Sequence, residues 1–271
     1  MVPKESEMAM DVIDYQIFGD DMQYVEVELD PGEAAVGEAG ALYYMEDDVS
    51  MDTVFGDGSA AQSGLLGKLL GAGKRLITGE SLFTTVYLNQ GQRKRRVAFA
   101  ASYPGKIVPV HLLELGGTLY AQKDSFLAAA KGVSLSLAFQ KKIGTGLFGG
   151  EGFIMQKLDG DGYVFLHAGG TLTSRQLQPG EVLRVDTGCV VAYQPTVDFD
   201  IEYVGKLKSA LFGGEGLFFA KLTGPGHVWL QSLPLSRLAD RIVAASPKAG
   251  GGSSEQGSLL GGLGNILDGK D

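Results

Sequence analysis

Three glutamates recur in one setting. Glu80, Glu151 and Glu215 follow Gly79, Gly150 and Gly214, and each precedes an apolar run. Cationic residues stand five to ten positions earlier: Lys74 and Arg75, Lys141 and Lys142, Lys206 and Lys208. Two chemistries fit. One is a ring of three carboxylates. The other is a carboxylate that accepts backbone N–H bonds at a tight turn or pairs with a nearby lysine. Repetition favours the second, because a catalytic site seldom needs three equal copies. Acid–base pairs require a geometry that spacing alone does not supply.

The other reactive side chains are scattered. His111, His167 and His227 lie far apart, with no His-x-His pair. Cys189 is alone, so neither an internal disulfide nor a cysteine-rich zinc site is available. No Gly-x-Ser-x-Gly elbow and no Walker loop is present. Gly144-Thr-Gly-Leu-Phe-Gly149 satisfies Gly-x-Gly-x-x-Gly, but it sits between strand signals with no helix after it, so it reads as a β-turn. We expect no catalytic residue, no metal and no cofactor. Arg93-Lys-Arg-Arg96 forms a basic hairpin tip without interleaved aromatics, which argues against base stacking. A solvated tip is the plainer reading, and phosphate or anionic lipid the alternative.

One stretch has the character of a contact surface. Leu65, Leu66, Leu69 and Leu70 stand near helical spacing, with Lys74 and Arg75 beyond them. Three readings stay open for this insert: a subunit interface, a membrane-surface contact, or a lid on its own module.

Charge narrows the partners. The net charge is −9, with sixteen Asp/Glu and only Lys4 in residues 1–60. An acidic chain is not expected to bind nucleic acid, which requires neutralised phosphates. The acidic start reads as a solvated surface. The lone cysteine and the absence of a secretory signal point to the cytoplasm, with membrane association left open through the insert.

The elements that carry these residues are strands. Gln23-Tyr-Val-Glu-Val-Glu-Leu29 alternates, placing Val25, Val27 and Leu29 on one face. Glycine is abundant, 41 of 271 residues, as suits short strands and tight turns. Leu147–Leu166 returns sixty-four residues later as Leu211–Leu230, both opening on Leu-Phe-Gly-Gly-Glu-Gly. Pro31-Gly-Glu33 matches Pro179-Gly-Glu181 and, loosely, Gly116-Gly117. At fixed offsets the copies give Met51, Thr53 and Phe55; Leu135, Leu137 and Phe139; Phe199, Ile201 and Tyr203. These predict one strand with one buried face, written three times. The expected fold is all-β: three β-sandwich-like modules around a pseudo-threefold axis, with a short C-terminal helix. Residues 1–11 are expected to be mobile. The first module spans 12–115 with an insert at 56–75, the second 116–179 and the third 180–235, with the N-terminal strand shared. A helix at 236–245, capped by Ser236, and a Gly/Ser-rich tail at 246–271 follow.

The chain resembles the mitochondrial-biogenesis family called altered inheritance of mitochondria 24, over about residues 12–235. The resemblance rests on Gln23-Tyr-Val-Glu-Val-Glu-Leu-Asp-Pro-Gly-Glu33, Lys74-Arg-Leu-Ile-Thr-Gly-Glu-Ser-Leu-Phe83, Leu211-Phe-Gly-Gly-Glu-Gly216 and Gly224-Pro-Gly-His-Val-Trp-Leu-Gln231. It implies a fold like that of the tryptophan RNA-binding attenuation protein, as three fused β-modules, and no enzymatic activity. Fold likeness does not imply RNA or tryptophan binding, because function resides in sites. Residues and resemblance together lead us to expect a non-enzymatic scaffold or assembly factor. It would form a homo-oligomer or bind a protein partner. The alternatives are a peripheral membrane binder and a small-ligand-binding barrel.

Overall fold

Alternation is the rule that folds this chain. In Tyr24–Leu29 the valines and the leucine are fully buried, while Glu26 and Glu28 face outward. The computed structural model describes residues 13–55, 83–141, 153–203 and 218–245. Among them are nineteen strands and one α-helix. In chain order the first eight strands are β1 (Asp14–Phe18), β2 (Tyr24–Leu29), β3 (Ala34–Glu38), β4 (Leu42–Met45), β5 (Val49–Phe55), β6 (Phe83–Asn89), β7 (Arg95–Ala100) and β8 (Gly105–His111). Then come β9 (Thr118–Gln122), β10 (Phe126–Ala130), β11 (Ser134–Lys141), β12 (Phe153–Asp159), β13 (Tyr163–Gly169) and β14 (Leu172–Leu177). The last are β15 (Val182–Asp186), β16 (Val190–Tyr193), β17 (Asp198–Tyr203), β18 (Phe218–Thr223), β19 (Gly226–Gln231) and helix α1 (Leu235–Ala245). The strands all lie in one compact unit that ends at Leu238; a second unit runs from Ala239 to Asp271.

Pairing is antiparallel throughout the named strands and gives four open sheets. Their orders are β1-β2-β7-β4, β5-β6-β3-β10-β13-β8, β11-β12-β9-β16-β19-β14 and β15-β18-β17. No closed barrel forms among the described residues. The sheets cut across the expected module limits, since β3 pairs with β10 and β9 with β16.

One pairing plan recurs. β3-β6-β5, β9-β12-β11 and β15-β18-β17 are joined in the same order. So are β4-β7-β2, β10-β13-β8 and β16-β19-β14. In the second set a register shift falls at the same point each time: between Leu42 and Tyr44, Phe126 and Ala128, Val190 and Ala192. The turn ahead of β3 and β15 also repeats. Gly32 and Gly180 take φ of 89° and 77°, which a side chain resists. The carboxylates of Glu33 and Glu181 accept the N–H of Asp30 and Gln178 at 2.8 and 2.9 Å.

Apolar clusters fill the spaces between successive sheets. Val25, Val27, Leu29, Val97 and Phe99 of the first sheet meet Ala35, Tyr87, Leu127 and Phe165 of the second. Val108, Val164 and Leu166 of the second meet Leu119, Leu158 and Trp229 of the third. Phe153, Met155 and Tyr193 of the third meet Ala220 and Leu222 of the fourth. Phe99 is fully buried and meets Tyr87 edge-on at 5.2 Å. A Cβ on Gly37 would sit 2.5 Å from that ring, so this strand needs glycine where Phe99 crosses it. Truncating such a core aromatic costs about 3–5 kcal/mol.

Two expectations are corrected. The offset positions were expected to share one buried face. Instead Leu135 is buried, while Met51, Leu137 and Tyr203 are 52%, 45% and 58% exposed. The cause is position: β5, β11 and β17 each end a sheet, and a bulge between Leu137 and Phe139 turns the face of β11. Phe139 packs on the third cluster, and the side chain of Phe55 lies outside the described residues. The helix begins at Leu235, so Ser236 lies within its first turn rather than capping it.

Candidate functional site

The glycine–glutamate pairs at 79–80, 150–151 and 214–215 lie outside the described residues, as do Leu65, Leu66, Leu69, Leu70, Lys74 and Arg75. The strands flanking each of these stretches are paired to their ends: Phe55 with Phe83, Lys141 with Phe153, Tyr203 with Phe218.

The basic hairpin is described, and three of its four cations pair with carboxylates. Lys94 lies 2.9 Å from Glu28, 3.5 Å from Asp30 and 3.7 Å from Asp14. Arg95 pairs with Asp48 at 2.6 Å, and Arg96 with Glu28 at 3.2 Å and Glu26 at 3.4 Å. The Lys94 hydrogen bond holds the Glu28 carboxyl below its ordinary range. Asp14, Glu26, Glu28, Asp30 and Asp48 of the acidic start are counter-charges for this hairpin. Asn89 fixes the base of the hairpin. It is fully buried, donates to the carbonyls of Leu29 and Arg93 at 2.9 and 2.8 Å, and accepts from Gly91 N–H at 2.9 Å.

A second polar group combines the buried Tyr103 and His167 with the half-buried Glu38 and Asp124. Burial, with Asp124 nearby, raises the Glu38 carboxyl to about 7, partly offset by Lys123. Burial, Asp124 and Glu38 push the Tyr103 phenol up to about 12. The Tyr103 ring stands edge-on to His167, with centroids 4.5 Å apart. His167 is 3% exposed, and burial lowers it to about 4. Neither ring nitrogen finds a partner of good geometry, though the nearby Tyr103 backbone holds the ring's pKa up slightly. Sequence register explains this. Gln231 occupies the matching place on β19, where it accepts Gly169 N–H at 2.8 Å and donates to Gly188 O at 2.9 Å. The residue matching Gly169 in the preceding pair of strands is Pro104, which has no N–H to give.

The chemistry open to this cluster is limited. The cleft beside it, lined by Tyr103, Gln122, Asp124, Gly188, Gln231 and Pro234, admits little more than a water molecule. His111 stacks on Tyr163 and His227 on Trp229. Among the described residues no three His, Cys, Asp or Glu side chains gather as metal ligands. No described helix is long and apolar enough to cross a membrane.

Apolar side chains are exposed on the helix, at Ile242 and Val243, and on sheet edges, which sequence reading did not single out. β4 ends the first sheet, and its Tyr43 and Met45 are 60% and 40% exposed. Tyr43 and Tyr44 stand 5.3 Å apart, with Tyr24 5.1 Å from Tyr43 and Phe18 stacked on Tyr24 at 5.0 Å. Tyr44 hydrogen-bonds Glu26, which fixes the group. β15 ends the fourth sheet and exposes Val182, with Phe219 opposite Asp186 on β18. The available signal was the absence of any charge in Leu42-Tyr-Tyr-Met45.

Comparison with known proteins places these features in a family. The model of the family described as "Mitochondrial biogenesis AIM24" matches residues 15–233. An uncharacterised protein of Streptococcus pyogenes serotype M6 is 32% identical over 250 residues, covering 90% of this chain and 95% of that protein. A crystal structure of the Streptococcus pyogenes protein SPYM3_0169 superposes with a TM-score of 0.67 at 25% identity, covering 86% of this chain and 99% of that one.

Proposed function

The chain belongs to the mitochondrial biogenesis AIM24 family, and from that premise we propose a non-enzymatic β-repeat scaffold. It acts as an assembly factor, through self-association or by holding a protein partner. The observation that carries this reading is the distribution of side chains. Burial shifts the pKa values of His167 and Glu38, and Lys94, Arg95 and Arg96 are paired with carboxylates of their own chain. What the surface offers instead is a row of aromatic and aliphatic side chains on an unpaired strand edge, the composition of protein contacts.

The same reading treats the chain as three copies of one unit; the expected pseudo-threefold axis would need β15 joined to β4 within the chain, and both instead end sheets. Its fold would be like that of the tryptophan RNA-binding attenuation protein. The recurring strand order and the three matched register shifts support the repeat. Light scattering together with affinity capture tests the function. We expect a particle heavier than one chain, or a stoichiometric protein partner. A strict monomer that captures nothing would refute it. Sedimentation with anionic vesicles is the counter-test: capture that depends on Leu65–Leu70 would make the protein a membrane-surface binder instead.

A further inference from the structure

We propose that β15 of one copy of this chain pairs with β4 of a second copy, in the register the chain already uses twice internally. This rests on the scaffold reading above and specifies its contact.

The recurring strand plan defines the two edges. β3, β9 and β15 hold matching places, as do β4, β10 and β16. Within the chain β3 pairs with β10 and β9 with β16, both antiparallel. The plan therefore contains two joints of one kind and leaves two halves over. These halves are β4 at the end of the first sheet and β15 at the end of the fourth. An unpaired β4 presents the half that β10 and β16 use, and an unpaired β15 the half that β3 and β9 use.

Side-chain burial agrees. At the place of Tyr43 (60% exposed), the joined strands carry Leu127 and Val191, at 2% and 0%. At the place of Met45 they carry the buried Ala129 and Tyr193. Val182 is exposed where its counterpart on β3, Ala34, is buried. Tyr43, Met45 and Val182 thus stand uncovered at the two ends, while β15 also carries the charged Arg184 at the place of Val36.

Besides β4 and β15, the described sheets end on β1, β5, β8, β11, β14 and β17, and three of these six are guarded against pairing. β8 carries Lys106 and Pro109, β14 reads Leu172-Thr-Ser-Arg-Gln-Leu177, and β17 alternates Asp198, Asp200 and Glu202. Charge, proline and polar rows are how proteins keep sheet edges from pairing. β4 has none of them.

The register follows from the internal joints. Ala128 faces Gly37 and Ala129 faces Val36; Ala192 faces Ala121 and Tyr193 faces Tyr120. Carried to the free edges, Tyr44 faces Val185 and Met45 faces Arg184. The two surfaces differ, so each copy offers one of each, and repetition builds a ring or a filament rather than a twofold dimer.

Single cysteines test this in a Cys189→Ser background, with Met45→Cys and Arg184→Cys purified separately. Both positions are partly exposed, and circular dichroism confirms folding. After mixing and oxidation with oxidised glutathione, we expect a disulfide-linked dimer of the two variants. Neither variant alone should give it, and adding Tyr43→Lys to the Met45→Cys chain should remove most of it. Leu113→Cys, also exposed, serves as the control. A chain carrying both Met45→Cys and Arg184→Cys is oxidised in parallel; no mixed dimer, a dimer from Met45→Cys alone, or a cross-link only within that doubly substituted chain each overturns the proposal. If light scattering still shows a multi-chain particle in that case, the scaffold reading survives and only this contact fails. A monomer without partners removes both.

Discussion

Replacing Glu38 with glutamine should change how stability depends on pH. Glu38 ends β3 with its carboxyl at about 7, against a usual 4.5, because burial and Asp124 disfavour its charge. A carboxyl raised in this way binds its proton more tightly in the folded state. Its favourable contribution is complete below pH 4.5 and is lost as pH rises through 7. A displacement of that size corresponds to about 3 kcal/mol. His167 works in the opposite sense. Its folded value of about 4 lies below the usual 6.5, so its contribution is present above 6.5 and is lost as pH falls through 4. The amount is again about 3 kcal/mol. Between pH 4.5 and 6.5 the two slopes oppose each other, and in the parent chain this pair leaves stability nearly level. Glu38→Gln uncovers the histidine: stability then falls on acidification. At pH 8 the variant gains about 3 kcal/mol over the parent, roughly 6–10 °C in Tm for a unit of this size. His167→Gln, which copies Gln231, uncovers the carboxyl, and stability then falls as pH rises. Urea titrations from pH 4 to pH 8 read both. Parallel profiles for parent and Glu38→Gln would show that Glu38 is ionised in the fold, and the reasoning would be wrong.

Three further outcomes follow from contacts described above. Asn89→Ala strips three hydrogen bonds from the base of the basic hairpin and should cost about 2–4 kcal/mol by chemical denaturation. Lys94→Gln with Arg96→Gln, at half-exposed positions, should lower stability only slightly by chemical denaturation, and less at high salt. Gly105→Ala should destabilise by about 2–3 kcal/mol in thermal melts. Its new Cβ collides with the Ala168 carbonyl, fixed by the β8–β13 ladder, and with the His167 ring.

The strands were legible where alternation was strong, as at Val25, Val27 and Leu29, and so was the spacing of the matched turns at Gly32 and Gly180. Burial along β5, β11 and β17 was not. Periodicity says which residues share a face, whereas a strand's place at the end of a sheet decides whether that face is covered. Glu38, Tyr103, Asp124 and His167 carry no local pattern, and their enclosure comes from the packing of different sheets. One signal was available: Glu38, Gln122 and Asp186 each end the first strand of a matched set, so polar residues recur where apolar ones would be expected. The free edges were hidden for a similar reason. A strand's sequence does not state whether its partner belongs to the same chain.

Amide hydrogen exchange on the parent protein, at low and at high concentration, reads the pairing of β4 with β15. Outward N–H groups of β4 and β15 should exchange fast when dilute. As concentration rises both should become protected together, while β14 and β17 stay unchanged. Exchange at β4 and β15 that ignores concentration, at one rate from dilute to concentrated protein, would contradict it.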